Sequence, residues 1–304
     1  MTYSIVARDD ATGEFGVAAQ SHFFSVGSVL AWAEPGRGVV ATQAFVNPSY
    51  GPLGLALMTK GATSAEAVSQ LIAADPACAL RQVAMIDPEG NVAVHTGRGC
   101  VDYAGDVTAE QVSAQGNMMA TDQVWPSMLS AYLHASGDLA HKLLMALRAG
   151  EDAGGDVRGR QSACVLVVTG QTYDEGGRKL VELRVDDHED PLAELERLLV
   201  LHEQYGVLAS LLADGMFDRR LSDAELATAV DRLSKAQHAL ADGNQEFTFW
   251  RGVVLARAGR LEAARAALAE AAEKHAGWSE LFRRLPGAGR LPLSPDEVEA
   301  VLPA

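Results

Sequence analysis

The order in which strand-forming and helix-forming runs follow one another up to Val185 is what most constrains the fold of this chain. Thr2-Tyr3-Ser4-Ile5-Val6-Ala7 is dense in strand formers, Asp9-Asp10-Ala11-Thr12-Gly13 carries turn chemistry, and Phe15-Gly16-Val17-Ala18-Ala19 resumes an apolar strand. Strands are predicted over 3–8, 15–21, 38–45, 82–87, 91–96, 111–115, 163–169 and 179–185, and helices over 51–59, 64–74, 122–135 and 138–148. The second of these helices opens with the capping signal Thr63-Ser64-x-Glu66. Hairpins alternate with helix pairs, and the regular strand-helix-strand order of a doubly wound sheet is missing. The pattern therefore predicts an α/β (α+β) chain: antiparallel sheets covered by helices in a four-layer αββα sandwich.

After Asp187-His188-Glu189-Asp190-Pro191 the character changes. A helix is predicted over 192–212, with Leu195, Leu198, Leu199 and Leu201 as its apolar stripe and Pro191 in its first turn. Beyond Asp214 the sequence is almost purely helical. Gly252, Leu255, Gly259, Leu261, Ala264, Leu268 and Ala271 stand at the spacing of one tetratricopeptide-like helix pair. The expected organisation is a sandwich domain over 1–212 and a small all-α domain over 213–304.

Charge narrows the partners. The net charge of -15 is concentrated at the front, where 26 acidic residues face 13 basic ones up to Ala213, against 14 and 12 beyond it. Such a surface repels phosphate backbones and anionic lipid heads, which argues against nucleic acid and membrane partners. The start of the chain lacks a basic segment followed by an apolar one, and no run of about eighteen apolar residues occurs. Cys78, Cys100 and Cys164 show no metal or redox spacing and read as buried thiols of a reducing cytoplasm. A homo-oligomer is expected from the prevalence of symmetric assemblies and the apolar helical tail.

Removal of an initiator methionine before a small residue would leave Thr2 carrying a hydroxyl and a free amine together. An α-amine titrates near ~8 and can take the hydroxyl proton at neutral pH, so one residue supplies nucleophile and base. Ser4, two residues on and on the same strand face, is the rival hydroxyl. The loop Thr42-Gln43-Ala44-Phe45-Val46-Asn47-Pro48-Ser49-Tyr50-Gly51 is dense in hydrogen-bonding groups; Thr42, Gln43, Asn47, Ser49 and Tyr50 are candidates to orient a substrate, and turn and capping chemistry is the plainer reading. Asn117, in Gln115-Gly116-Asn117-Met118, offers both donor and acceptor.

The glycine-hinged stretch Gly154-Gly155-Asp156-Val157-Arg158-Gly159-Arg160-Gln161-Ser162 brings two arginines into an acidic protein. They are candidates for a bidentate clamp on a substrate carboxylate, with Asp156 fixing the fork and Gln161 and Ser162 beside it. Asp186-Asp187-His188-Glu189-Asp190 holds metal-ligand residue types, but successive side chains on an extended segment alternate in direction, and no metal or other cofactor is expected. His22 and His95, near strand ends, are secondary acid/base candidates.

The motifs TYSIVARD, GVAAQS, ATQAFVNPSYG, RQVAMID, QGNM, GGDVRGRQSA and LRVDDHEDP, in that order, resemble the family called domain of unknown function 1028, within the N-terminal nucleophile hydrolase superfamily. The resemblance covers residues 1 to about 212 and implies the αββα sandwich of proteasome subunits. It implies amide-bond cleavage through an acyl-enzyme on Thr2, with Gln20 and Ser21 beside it and an oxyanion-hole amide around Thr42 to Ala44. Asn117 would lie near the amine, and Asp156 to Ser162 would supply a supporting acid and hydroxyl. Proteasome-type members also carry a lysine near the nucleophile and an acid ending the second strand. Here that strand ends in Gln20-Ser21, and Lys60 alone precedes Lys142. The expected activity is hydrolysis of an amide in a small, carboxylate-bearing metabolite; the alternative is a non-catalytic sandwich that binds a ligand or partner.

Overall fold

The structure, a computed structural model, describes residues 2–240 and 243–302. Two compact units divide at Leu198/Leu199, inside a long helix. The sequence had placed the boundary at the end of that helix, α5 (Pro191–Ala213).

The first unit is built on two antiparallel sheets. Its strands are β1 (Thr2–Arg8), β2 (Phe15–Ser21), β3 (Ala31–Glu34), β4 (Gly38–Ala44), β5 (Arg81–Ile86), β6 (Val92–Thr96), β7 (Gly105–Ala109), β8 (Val112–Asn117), β9 (Ser162–Val168) and β10 (Lys179–Val185). One sheet runs β10-β9-β2-β1-β8-β7 and the other β3-β4-β5-β6. Helices α1 (Tyr50–Thr59) and α2 (Ser64–Ala74) cover the outer face of the smaller sheet; α3 (Val124–His134) and α4 (Leu139–Asp152) cover that of the larger one. The inner faces of the sheets meet through β1, β2, β4 and β5, which gives the expected four layers.

Because the central strands are covered on both sides, they read as continuous apolar runs; β2 and β9 are buried at every position. Val6, Val17, Ala41, Ala84, Ile86 and Leu166 fill the space between the sheets, while Val40, Tyr50, Leu55, Met58, Val83 and Met85 pack the outer face of the smaller sheet against its helices. The two unpredicted strands, β3 and β7, are both edge strands with partly exposed residues, so neither needs the apolar density by which the others were found.

In the second unit, α6 (Asp223–His238), α7 (Glu246–Arg257), α8 (Leu261–Lys274), α9 (Gly277–Arg284) and α10 (Pro295–Val301) enclose a core that includes Leu233, Phe247, Phe249, Val253, Leu268 and Phe282. Gly252 lies against Leu268, and Gly259 turns the chain between α7 and α8 at φ +72°. Among the described residues no helix is long and apolar enough to cross a membrane.

Gly51, in the first turn of α1, lies against the Trp32 indole of β3, and a methyl group there would overlap the ring. Gly51→Ala should therefore destabilise the protein by a net ~1–3 kcal/mol, overpacking outweighing alanine's better helix propensity of about 1 kcal/mol. Urea unfolding of the two proteins checks this; a gain in stability would refute it.

Candidate active site

Strand register decides which predicted residues meet. Thr2 opens β1, opposite the C-terminal ends of β2 and β8: Tyr3 pairs with Gln20, and Thr2 with Asn117. Thr2 is only 3% exposed, and its hydroxyl donates to Ser21 Oγ at 3.0 Å. Its carbonyl accepts from Gln43 Nε2 at 3.1 Å and from Asn117 Nδ2 at 3.3 Å. Thr2, Ser21, Gln43 and Asn117, from four strands, thus come together as expected.

Behind Thr2 the space between the sheets is filled by amides. Gln82 Oε1 accepts from Gln43 Nε2 (2.6 Å) and Asn117 Nδ2 (2.8 Å), and its Nε2 donates to the Gly116 (2.9 Å) and Gly105 (3.1 Å) carbonyls and to Thr96 Oγ1 (3.0 Å). Ser4 donates to Gln43 Oε1 at 2.6 Å and accepts from Gln115 Nε2 at 2.7 Å; Ser113 donates to Gln115 Oε1 at 2.8 Å. Ser4 is thus a fully buried member of this network. Asn117 Oδ1, also buried, has no hydrogen-bond donor among the described residues. Gln82, Gln115 and Ser113 were not singled out from sequence, although an amide at an inward register inside the apolar runs RQVAMI and VSAQGN is a readable signal.

In front of Thr2 lies a small pocket, with about 40 Å³ open to water, lined by Thr2, Phe23, Val26, Val29, Leu30, Thr42, Gln43, Ala44 and Val46. None of these side chains is ionisable. Ala44 adopts φ +69°, a left-handed conformation of the kind that costs a non-glycine residue about 1 kcal/mol or more, and it sits in the pocket wall; Ser25 (+56°) and Met118 (+59°) share the feature on neighbouring loops at the same strand ends.

Other expected residues fall elsewhere. Gln20, paired with Tyr3, points to the opposite face of the sheet, where Gln20 Nε2 (2.9 Å) and Tyr3 Oη (2.7 Å) both donate to Glu151 Oε2. Burial, reinforced by the Glu151 carboxylate, raises the Tyr3 phenol well above its usual range. The reading that sets Gln20 beside Thr2 in the site is therefore corrected by the alternation of the strand, which turns its side chain to the other face. The Asp156 side chain is fully buried but accepts from His22 N (3.2 Å) and from Arg158 N and Nε (both 3.0 Å) and Nη2 (2.7 Å), so it fastens its own loop to the end of β2. Arg160 pairs with Glu151 (3.3 Å) and Asp190 (3.2 Å). Neither arginine lines the pocket at Thr2, and the clamp expected there is absent from that wall.

Ser162 Oγ donates to the Phe23 carbonyl (2.5 Å) and accepts from Val26 N (3.0 Å), which holds the pocket-forming loop in place. Gln161 Nε2 donates to Asp187 Oδ1 at 3.1 Å, on a separate open cleft that also includes His22, Arg160, His188 and Glu189. Asn47 and Ser49 make a local turn (3.2 Å), Asn47 O accepts from Thr42 Oγ1 at 3.3 Å, and Tyr50 Oη reaches Asp75 at 3.1 Å beneath α2. Asn47 and Ser49 thus make turn contacts, Ser49 without a side-chain capping bond to α1, and Tyr50 ties α1 to the end of α2. His95 is bonded to the Cys78 carbonyl at 2.9 Å. Burial pushes the Cys164 thiol up to about 12, as suits a structural cysteine.

Fold and site together define a mixed α/β protein whose first strand places a threonine in the lining of a largely apolar pocket. The model of the family of unknown function DUF1028 matches residues 2–195, and the chain belongs to that family. The crystal structure of protein SPO2555 from Silicibacter pomeroyi, of the same family, is similar to it at 34% identity and a TM-score of 0.59, over 65% of this chain and 84% of that one. No curated protein matches.

Gln82→Leu keeps the shape of the side chain but strands two amide donors and two carbonyls, which should cost about 2–5 kcal/mol in urea unfolding. In Gln82→Glu the buried carboxyl has its pKa raised above the unfolded value. Stability should then be greater at pH 5 than at pH 8, since the protonated form restores one donor and is lost as pH rises through the folded pKa. An unchanged stability in both variants would show the network to be incidental.

Proposed function

We propose that the protein is an amidohydrolase that uses Thr2, exposed as the first residue after removal of Met1, to cleave an amide bond in a small metabolite. One observation carries this reading: Thr2, whose hydroxyl is hydrogen-bonded to Ser21, lines a pocket whose other described lining residues include no imidazole, carboxylate or lysine, and in this reading the base is Thr2's own α-amine. Asn117 Oδ1, buried and without a donor among the described residues, belongs to the register partner of Thr2 and suits an ammonium.

In this reading the amine takes the hydroxyl proton as Thr2 Oγ bonds to the substrate carbonyl carbon. The carbon–nitrogen bond then breaks, the proton passes to the leaving amine, and the acyl group remains as an ester on Thr2. Water hydrolyses the ester, releasing a carboxylic acid and restoring the hydroxyl. Ser21, hydrogen-bonded to Thr2 Oγ1, orients the nucleophile. The sandwich is read as that of the N-terminal nucleophile hydrolases. The helical unit is read as tetratricopeptide-like, used for packing or oligomer contact, and the free cysteines as those of a cytoplasmic protein.

Intact mass should show a chain beginning at Thr2. An uncharged activated ester such as p-nitrophenyl 4-methylpentanoate should add one acyl group there, at a rate rising with pH through the amine titration near ~8. Thr2→Ala should abolish the adduct while costing no more than about 1.5 kcal/mol in stability, the worth of one hydrogen bond. Retention of Met1, or an unchanged adduct in Thr2→Ala, would overturn the reading in favour of a non-catalytic binding protein.

A further inference from the structure

The pocket beside Thr2 has a chemistry of its own. Six of its lining residues, Phe23, Val26, Val29, Leu30, Ala44 and Val46, are apolar. The polar ones besides Thr2 are already engaged: Thr42 Oγ1 donates to the Asn47 carbonyl, Gln43 Nε2 donates to Thr2 O and Gln82 Oε1, and Gln43 Oε1 accepts from Ser4. A carboxylate placed here would lose its hydration and meet no cation and no uncommitted side-chain donor among the described lining residues, whereas a hydrocarbon group would replace water at no such cost.

The apolar character continues outward. Phe23, Phe24 and Phe45, on the two loops that flank the pocket, are 49%, 62% and 51% exposed. Three large apolar side chains left in water on adjoining loops are unusual for a surface that binds nothing. The two arginines from which a carboxylate clamp was expected are drawn off to Asp156, Glu151 and Asp190.

We infer that this pocket selects an uncharged, branched aliphatic group on the acyl side of the bond to be cleaved, and that it rejects a carboxylate at that position. The assignment to the acyl side rests on the reading of Thr2 as nucleophile; the preference for an uncharged group does not. The space open to water in the pocket, about 40 Å³, is that of roughly three waters and suits a small group of side-chain size, not a larger molecule. An uncharged group also fits a net charge of -15, which would slow the approach of anions.

Two isosteric amides separate the possibilities: 4-methylpentanamide and succinamate differ only in an isopropyl group against a carboxylate. Titrated into the full-length protein and followed by NMR shifts of the Val26 and Leu30 methyl groups, the uncharged amide should bind at least tenfold more tightly. Val46→Lys, on a half-buried loop position outside the bonded network, should reduce or reverse that ratio. Equal binding, tighter binding of succinamate, or shifts confined to other residues would overturn the inference. If the uncharged amide is preferred while activated esters leave Thr2 unmodified, the nucleophile reading fails and the pocket selectivity stands.

Discussion

The hydrogen bonds converging on Gln82 are what the rest of the site depends on. The space between two sheets is ordinarily closed by hydrocarbon, and at the far end of this sandwich it is, with Val6, Val17, Val39, Ala84 and Ile86 meeting across the gap. Toward Thr2 the same inward registers switch to Ser4, Gln43, Gln82, Gln115 and Asn117. An amide in a dry interior is stable only when its donors and acceptors are met. Gln82 meets two partners through its oxygen and three through its nitrogen, binding β5 to β4, β6, β7 and β8. Apolar contact tolerates small displacements of one sheet over the other; this network does not, and it fixes the sheets at the point where Thr2 emerges.

That precision is delivered to Thr2 through its carbonyl. Two amide donors hold it from opposite sheets, so the first residue of β1 is placed by tertiary bonds as well as by its own strand. The amides that bond its carbonyl are neutral, and the described bonds through Gln82 reach an acid, Asp106, only beyond Thr96. Proteins usually support a reactive hydroxyl with an imidazole or a carboxylate. Here the charged groups lie outside the pocket, on the helix face of the larger sheet and in the loop around Asp156. Ala44 in the pocket wall, and Ser25 and Met118 beside it, hold left-handed backbone conformations that the network and loop bonds must sustain.

Much of this was legible in the sequence because local signals and tertiary demands agreed. The Asp9 to Gly13 turn, the capping box at Thr63 and the valine-rich β9 announce themselves within a few residues. The edge strands β3 and β7 did not, because a strand with one neighbour and a wetted face needs few apolar residues. At the site, nearness in sequence predicted nearness in space for Thr2 and Ser21, joined by a hairpin, and failed for Gln20, one residue away on the other face of the sheet. Arg158 and Arg160 were visible as cations, but their partners are set by folding: Asp156 is local, whereas Asp190 enters only when α5 reaches its place. Pocket walls are the least legible feature, since Val26, Leu30 and Val46 carry no mark that separates them from core residues.

A balance between the amide layer and the pocket explains why the two belong together. The layer behind Thr2 consumes its own polar groups, so almost none are left to face the cavity. Gln43 makes the point, for it lines the pocket while all its hydrogen-bonding capacity along the described bonds is turned inward to Ser4, Thr2 and Gln82. A site built in this way gains a fixed threonine position from one side of Thr2 and an apolar, water-poor surface from the other. In the proposed reading the first aligns the hydroxyl, and the second would strengthen every dipole acting on a carbonyl held beside it, because low polarity leaves those fields unscreened. Replacing Gln43 with a charged residue would disturb both sides at once, since the side chain that donates to the threonine carbonyl also lines the pocket.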